Sequence, residues 1–350
     1  MPVFQLNANQ APNEELPQND NQRPILNFRL VRQLLFNQAF IGYTIWTGGT
    51  GFEILTTCSN FNVGSGITGL LGGGLLIGVS LLVEKSENPL VVGLNLSTNM
   101  VVLRIFGDVP QPAVAGFISA LLGTVTGVVE EVTFRGMALP RLAEWAATTQ
   151  GLPREEALLA GVALSTVLFA VLHLNPTSIF KGGEAILDSL VLLVFQLVTG
   201  TTFAVLYLST GNLAVPIVAH AAYDFYTFFK THLEVTTQMK YAQEQALIPG
   251  CSNSRVAEKW IDERGEDFVM GVRKSFYLMD TNRDGVISRK ELRVALNSYG
   301  MNLSKMESEA ITRDADLDMS GEIDLEEFLE YIGPSGSPEK AAKNSLLGPI

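Results

Sequence analysis

Long apolar runs alternate with short polar segments from the N-terminal region of the chain to about residue 229. Six runs carry little charge, and most approach the length at which a helix crosses about 30 Å of hydrocarbon. They cover residues 30–55, 66–83, 112–129, 157–172, 190–208 and 213–229. The pattern predicts an all-α fold, with a polytopic transmembrane helix bundle of about six spans.

The pattern changes after Phe229, where charged residues become frequent. Residues 1 to 229 hold 9 Lys/Arg and 15 Asp/Glu, whereas residues 230 to 350 hold 15 and 21. The shorter segment therefore carries more than half of the charge, which indicates two physical environments. We interpret the chain as a membrane half followed by a soluble lobe.

Composition also suggests the domain boundaries. The predicted regions are a disordered, Asn/Gln/Pro-rich arm at 1–28, a transmembrane domain at 29–230, a polar linker at 231–262, a charged soluble domain at 263–332 and a disordered tail at 333–350. The only two cysteines, Cys58 and Cys251, are far apart in sequence, which argues against a disulfide framework.

Basic residues near the predicted spans indicate the orientation in the membrane. With an even number of spans, the loops rich in basic residues share one side with both termini, whereas residues 56–65 and 209–212 hold no Lys or Arg. The positive-inside rule then places both termini on the non-translocated side of the membrane. The endoplasmic reticulum and a plastid membrane remain alternatives.

The second predicted span contains closely spaced glycines. Gly69 with Gly73 and Gly74 with Gly78 are two pairs at i, i+4. Such pairs let membrane helices approach each other closely. We therefore predict helix contacts along this span.

Ionisable residues inside apolar runs are expensive and mark candidate functional sites. Glu131 and Arg135 are four residues apart, so they meet on one face of a helix and can neutralise each other. Glu130 lies about 100° round the helix and lacks that partner. An unpaired, buried carboxylate of this kind is suited to act as a general base. His220 and Asp224 have the same spacing, as do Phe169 and His173.

Three motifs in order resemble those of one family. They are "EEVTFR" (130–135), "FAVLH" (169–173) and "HAAYD" (220–224), and the resemblance covers about residues 110–229. They resemble the EExxxR, FxxxH and HxxxN/D motifs of the CAAX prenyl endopeptidase family, also called the CPBP or abortive-infection family. The resemblance implies an intramembrane glutamic protease.

The resemblance also implies roles for individual residues. Glu130 would activate a water with the help of His173, and His220 would donate to the developing oxyanion. Asp224 stands where characterised prenyl endopeptidases have Asn, so it would either be protonated or orient His220. Glu131, Arg135 and Phe169 would support the site.

Two other interpretations of these residues are open. The buried groups could serve only to join membrane helices. Alternatively, Glu130, His173, His220 and Asp224 form a plausible two-His, two-carboxylate zinc set. The absence of an HExxH motif and the family resemblance both favour hydrolysis without a metal at this site.

The soluble lobe contains two twelve-residue acidic loops, at 280–291 and 316–327. Each has a glycine at its sixth position and a glutamate at its twelfth, the pattern of a calcium-binding EF-hand. The predicted Ca²⁺ ligands are Asp280, Asn282, Asp284, Val286, Ser288 and Glu291 in the first loop, and Asp316, Asp318, Ser320, Glu322, Asp324 and Glu327 in the second. The lobe resembles a paired EF-hand lobe of the calmodulin type.

These features together predict a membrane-embedded endopeptidase of the CAAX type whose activity is regulated by Ca²⁺. The alternative is a catalytically silent membrane scaffold that recruits partners in a Ca²⁺-dependent way. Expected partners are membrane lipid, a protein or prenylated-peptide substrate and a Ca²⁺-dependent protein partner. No nucleic-acid partner is expected.

Overall fold

The computed structural model describes residues 26–46, 50–84, 89–174, 183–247, 255–281, 284–298 and 305–332. The predicted arm up to residue 25, the predicted tail at 333–350 and the predicted ligand Asn282 lie outside the described residues.

Helices form almost all of the regular structure, which confirms the all-α prediction. The first nine are α1 (Phe28–Trp46), α2 (Thr50–Cys58), α3 (Val63–Glu84), α4 (Pro89–Phe106), α5 (Pro112–Glu131), α6 (Leu139–Thr149), α7 (Arg154–Leu172), α8 (Gly183–Thr210) and α9 (Ala214–Leu247). A π-helix (Val132–Ala138) joins α5 to α6. The remaining elements are α10 (Arg255–Arg264), α11 (Glu266–Met279), β1 (Ile287–Ser288), α12 (Arg289–Ser298), α13 (Lys305–Ala315), β2 (Glu322–Ile323) and α14 (Leu325–Ile332).

Four helical stretches of the described chain are long and apolar enough to cross a bilayer. They are Val63–Glu84, Pro112–Thr149, Arg154–Leu172 and Leu190–Thr210. The prediction of about six spans is not confirmed. The first predicted run is divided between α1 and α2, and the last lies in α9, whose His220, Asp224 and Lys230 make it more polar.

The apolar helices expose much of their hydrophobic surface. In α3, only 22% of the most apolar stretch is buried, and Leu71 and Leu82 are more than two-thirds exposed. Exposed apolar area of this extent is unusual on a water-soluble protein and is suited to contact with acyl chains.

The chain folds as two compact units. The first ends at His232 and the second begins at Leu233, except that residues 85–103 and 108–110 belong to the second unit. In the first unit, small apolar clusters form the interior. One consists of Val132, Met137, Leu213 and Ile217. Another consists of Leu76, Phe203 and Ala219.

Of the two predicted glycine pairs in α3, only one lies at a close helix contact. A Cβ atom at Gly69 would lie 2.8 Å from the Val215 carbonyl oxygen, and one at Gly73 would lie 2.8 Å from that of Ala219. Among the described atoms, nothing lies within 4 Å of a Cβ atom built at Gly74 or Gly78. The first pair therefore lets α3 pack closely on α9.

The second unit contains the predicted calcium-binding lobe around one hydrophobic core. Val272, Phe276 and Phe328 are buried in this core, with Phe268 and Ile332 packed against it. The helices α12 (Arg289–Ser298) and α13 (Lys305–Ala315) connect the two acidic loops in the sequence. Val235 and Met239 of α9 are buried in the same core.

Candidate functional site

Glu130 and Glu131 are the last two residues of α5, and both are buried. The π-helix begins at the next residue, Val132. Short π-helical segments within α-helices occur frequently at functional sites, because the wider turn changes the direction of the side chains around it. The carboxylates therefore lie at a change of helix geometry.

Glycines bring α5 close to α9. A Cβ atom at Gly123 would lie 2.8 Å from the Ala221 carbonyl oxygen, and one at Gly127 would lie 3.0 Å from that of Ile217. Gly123 and Gly127 are one turn apart, so they form a contact face along α5. This close approach allows the carboxylates at the end of α5 to reach His220 on α9.

Arg135 neutralises Glu131 within the helix, at the spacing the sequence indicates. Its Nη1 donates to Glu131 Oε1 at 2.9 Å, and its Nη2 donates to the carbonyl oxygen of Gly200 at 2.8 Å. The guanidinium carbon lies 4.5 Å from the centre of the Phe169 ring and 5.3 Å from that of Phe203. Hydrogen bonds and aromatic faces thus compensate for burial of the charge.

His220 contacts the second glutamate more closely than it contacts Asp224. Its Nδ1 lies 2.8 Å from Glu131 Oε1, whereas its Nε2 lies 3.7 Å from Asp224 Oδ2. The ring stacks on Phe203, with 4.7 Å between centroids. Because a carboxylate accepts the Nδ1–H, Glu131 orients His220 and directs Nε2 toward Glu130.

His173 follows the last residue of α7 and is held by the backbone. Its Nδ1 lies 2.7 Å from the Phe169 carbonyl oxygen. A carbonyl only accepts hydrogen bonds, so Nδ1 carries the proton and donates it. In the neutral ring, Nε2 then has a free lone pair, and it lies 3.7 Å from Glu130 Oε2.

The two carboxylate oxygens of Glu130 have different neighbours. Oε1 accepts a hydrogen bond from Nε2 of Gln38 at 3.1 Å. Oε2 lies 3.7 Å from Nε2 of His173 and 3.9 Å from Nε2 of His220, and it has no hydrogen-bond partner among the described residues. One carboxylate oxygen therefore faces two imidazoles that come from two other helices.

All seven residues singled out in the apolar runs lie in one cluster. Glu130, His173 and His220 form its centre, and Asp224 lies at its edge with 20% of its side chain exposed. Sequence reasoning did not identify Gln38. The signal that could have found it is a polar residue inside the first apolar run.

The two acidic loops of the second unit have the same internal design. Asp280 accepts from the backbone amides of Asp284 and Gly285, as Asp316 does from those of Ser320 and Gly321. Gly285 and Gly321 have φ near +90°, a conformation that favours glycine. The predicted pairing of the loops is confirmed, because Ile287 faces Ile323 across the β1–β2 ladder.

The donor set of these loops fits Ca²⁺. Oxygens of Asp316, Asp318 and Glu327 lie within 4.8 Å of one another. Hydrogen bonds from Ser320 lower the pKa of Asp318 and so favour its ionised form. In the first loop, the buried Glu291 accepts from Ser288 and Thr281. Hard carboxylate oxygens around a glycine turn are the ligands that Ca²⁺ prefers.

Apolar helices around a buried Glu–His cluster, together with a two-loop acidic lobe, indicate a membrane protein with a buried polar site and a lobe suited to bind calcium. Residues 112–226 match the family model described as Type II CAAX prenyl endopeptidase Rce1-like. Residues 270–333 match the model of an EF-hand domain pair. The chain thus contains an integral-membrane domain of the CAAX prenyl endopeptidase type and a paired EF-hand domain.

Curated relatives match over a short part of the chain. Human calcium-binding protein 7 is 38% identical over 79 residues, which is 21% of this chain and 37% of that protein. Human calcium-binding protein 8 is 30% identical over 90 residues, which is 26% of this chain and 33% of that protein. Calcium-dependent protein kinase 31 of Arabidopsis thaliana is 39% identical over 64 residues, 18% of this chain and 13% of the kinase. No solved structure gives a significant match.

Proposed function

We propose that the protein is a membrane-embedded endopeptidase in which Glu130 activates a water, with residues 29–230 as the protease domain. One observation carries the proposal: Oε2 of the buried Glu130 faces Nε2 of His173 and of His220. A carboxylate placed beside two imidazoles from separate helices is suited to general acid–base work. The match to a CAAX prenyl endopeptidase model indicates a peptide bond as the target.

In the first step, a water lies between Glu130 and His173. The 3.7 Å between Glu130 Oε2 and His173 Nε2 is too long for a direct hydrogen bond but lets one water contact both atoms. Both atoms are acceptors, so the water directs one hydrogen to each. Glu130 takes one proton as the water oxygen attacks the scissile carbonyl carbon.

In the second step, the tetrahedral intermediate breaks down. In this step His220 is the doubly protonated imidazolium: its Nδ1–H is held by Glu131, and its Nε2–H donates a hydrogen bond to the new oxyanion. The C–N bond then breaks, and Glu130 returns its proton to the leaving amine. Asp224 lies 3.7 Å from His220 Nε2, where its carboxylate stabilises the positive charge of the ring. Glu131 orients the ring.

The catalytic proposal is tested by measuring cleavage of farnesylated and unmodified peptides by the purified full chain. Glu130→Gln is expected to lower the rate at least about 100-fold, the usual contribution of a general base. The matched control is Glu144→Gln, because Glu144 is an exposed glutamate on α6. Equal rates for Glu130→Gln and wild type would support a non-catalytic scaffold instead.

The same assay separates water activation by glutamate from zinc catalysis. Addition of a zinc-selective chelator is expected to leave the wild-type rate unchanged, because the proposed step uses only side chains and water. A loss of activity that added zinc restores would instead favour the two-His, two-carboxylate zinc site.

Ca²⁺ is proposed to regulate this activity through residues 263–332. The loop carboxylates, Ser288, Ser320 and the carbonyls of Val286 and Glu322 would hold the ions. Binding in sensor EF-hands changes the angle between helices and exposes an apolar groove for a target. Cleavage rates should therefore differ between Ca²⁺ and chelator, and Glu291→Gln with Glu327→Gln should remove the difference. Equal rates in both conditions would overturn the regulatory proposal.

Both termini are proposed to lie on the non-translocated side. The basic residues Arg29, Arg32, Arg104 and Lys230 favour this side by the positive-inside rule. Glycosylation acceptor sites added at either terminus should stay unmodified in microsomes. Modification of either site would contradict the assignment.

A further inference from the structure

Gln38 lies on α1, outside the region matched by the protease family model. Its side chain is 2% exposed, whereas Phe36 and Phe40 on the same helix are 65% and 57% exposed. α1 packs on α5, and Gly42, one turn after Gln38, lies beside Val129. The helix therefore directs one amide toward the carboxylates of α5.

The contact made by Gln38 determines how Glu130 is presented. The amide Nε2 can only donate, so its 3.1 Å contact occupies Glu130 Oε1. The other oxygen, Oε2, is thereby left to face the two imidazoles. A carboxylate without this hydrogen bond could rotate and exchange its two oxygens.

A second observation indicates more than a role in joining helices. Oε1 of Gln38 is buried and has no hydrogen-bond partner among the described residues. Burying a polar atom without a partner costs stability, and such an atom in a native structure calls for an explanation such as a functional role. An apolar side chain would join α1 to α5 without that cost.

We propose that Gln38 is a positioning residue of the peptidase site, which fixes the Glu130 carboxylate so that Oε2 meets the attacking water. This inference rests on the function proposed above. It assigns α1 to the active site, although that helix carries none of the family motifs.

The test compares Gln38→Met with Asn37→Leu in the peptide cleavage assay. Methionine has nearly the shape of glutamine but cannot donate, so kcat should fall roughly tenfold or more, the effect of losing a hydrogen bond to a charged group. KM should stay within about twofold, because the contact acts on the attacking group rather than on substrate binding. Asn37→Leu removes an amide from the adjacent, partly buried position and should change neither constant.

Gln38→Glu separates positioning from a structural role. A protonated carboxylic acid still donates to Glu130, whereas an ionised one repels it. The rate of Gln38→Glu relative to Gln38→Met should therefore rise as the pH falls from about 8 to about 5. A helix-joining role would leave this ratio constant.

The outcomes distinguish this inference from the proposed function. If Glu130→Gln is inactive while folded Gln38→Met retains the wild-type kcat, the positioning role is wrong and the proposed function stands. If Glu130→Gln is as active as wild type, the proposed function itself fails. Thermal unfolding of each variant in detergent shows whether a lower cleavage rate is caused by unfolding. If the lower rate of Gln38→Met is explained by unfolding of that variant alone, the positioning role is contradicted.

Discussion

At the scale of single residues, Glu131 makes close contacts with two charged or titratable side chains of the site. Its Oε1 contacts both Nη1 of Arg135 and Nδ1 of His220, at 2.9 and 2.8 Å. The ion pair with Arg135, on the same helical run, neutralises the charge of Glu131. The contact with His220, on another helix, fixes the orientation of the imidazole ring. One buried carboxylate therefore connects the stability of the site to its chemistry.

Replacing Arg135 with methionine should destabilise the protein strongly. The change leaves Glu131 as a buried carboxylate without its guanidinium partner, and breaking a buried pair in this way costs about 3–5 kcal/mol. Thermal unfolding in detergent measures the loss. Arg141→Met is the matched control, because Arg141 is exposed on α6 and should tolerate the change. Equal stability of the two variants would show that the buried pair is not needed.

Sequence spacing could predict the contacts of this site within one helix but not those between helices. Glu131 with Arg135 follows from the helical repeat, which needs no knowledge of the fold. His220 contacts Glu131 more closely than it contacts Asp224, because the rotation of α9 against α5 decides which carboxylate the ring reaches. Gln38 was missed for the same reason, since its partner lies on another helix.

At the scale of elements, glycines determine which helix faces meet. The i, i+4 pattern in α3 predicted close contacts for two pairs, but a small residue only permits a close approach. Gly69 and Gly73 lie against α9, whereas no described atom lies within 4 Å of a Cβ atom at Gly74 or Gly78. The neighbouring helix, which the pattern does not specify, decides the difference.

Gly73→Ala and Gly74→Ala provide a matched pair on adjacent residues. A methyl group at Gly73 would lie 2.8 Å from the Ala219 carbonyl oxygen, so the variant should lose about 1–3 kcal/mol from overpacking. Gly74→Ala meets open space and should be neutral or gain up to about 1 kcal/mol of helix stability. Thermal unfolding in detergent compares them. A larger loss for Gly74→Ala would contradict the packing of α3 on α9.

The span prediction also has a physical limit at this scale. Hydropathy identified four helices that are apolar along most of their length. It identifies α9 less well, because α9 carries His220 and Asp224 among apolar residues. Polar residues that a helix contributes to a buried site lower its mean hydropathy, and in α9 they lie in the middle of the apolar run.

At the scale of the whole molecule, the chain combines a membrane unit with a calcium-binding unit. The loop signals predicted the second unit closely, since an EF-hand depends on ligands at fixed positions in a short local sequence. The ladder between Ile287 and Ile323 followed from the same positions. The membrane site required long-range packing and was only partly predictable.

Calcium should stabilise the second unit by mass action. At a free Ca²⁺ concentration of about 100 times Kd, one site adds about 2.7 kcal/mol to the free energy of unfolding. Glu291→Gln with Glu327→Gln should remove this gain, because both side chains are buried at the proposed ligand position at the end of each loop. The control is Glu330→Gln, which changes an exposed glutamate on α14. Calorimetry of the full chain measures this gain in the free energy of unfolding. An unchanged gain in the double variant would contradict the ligand assignment.

The central claim is that Glu130 activates a water for attack on a peptide bond. A single-turnover cleavage in ¹⁸O-labelled water, followed by mass spectrometry of product and protein, tests it most directly. Water activation by Glu130 should place one ¹⁸O in the new carboxyl terminus, leave Glu130 unlabelled and make product formation by Glu130→Gln at least about 100-fold slower. Label in Glu130, or product formed by Glu130→Gln at the wild-type rate, would contradict it.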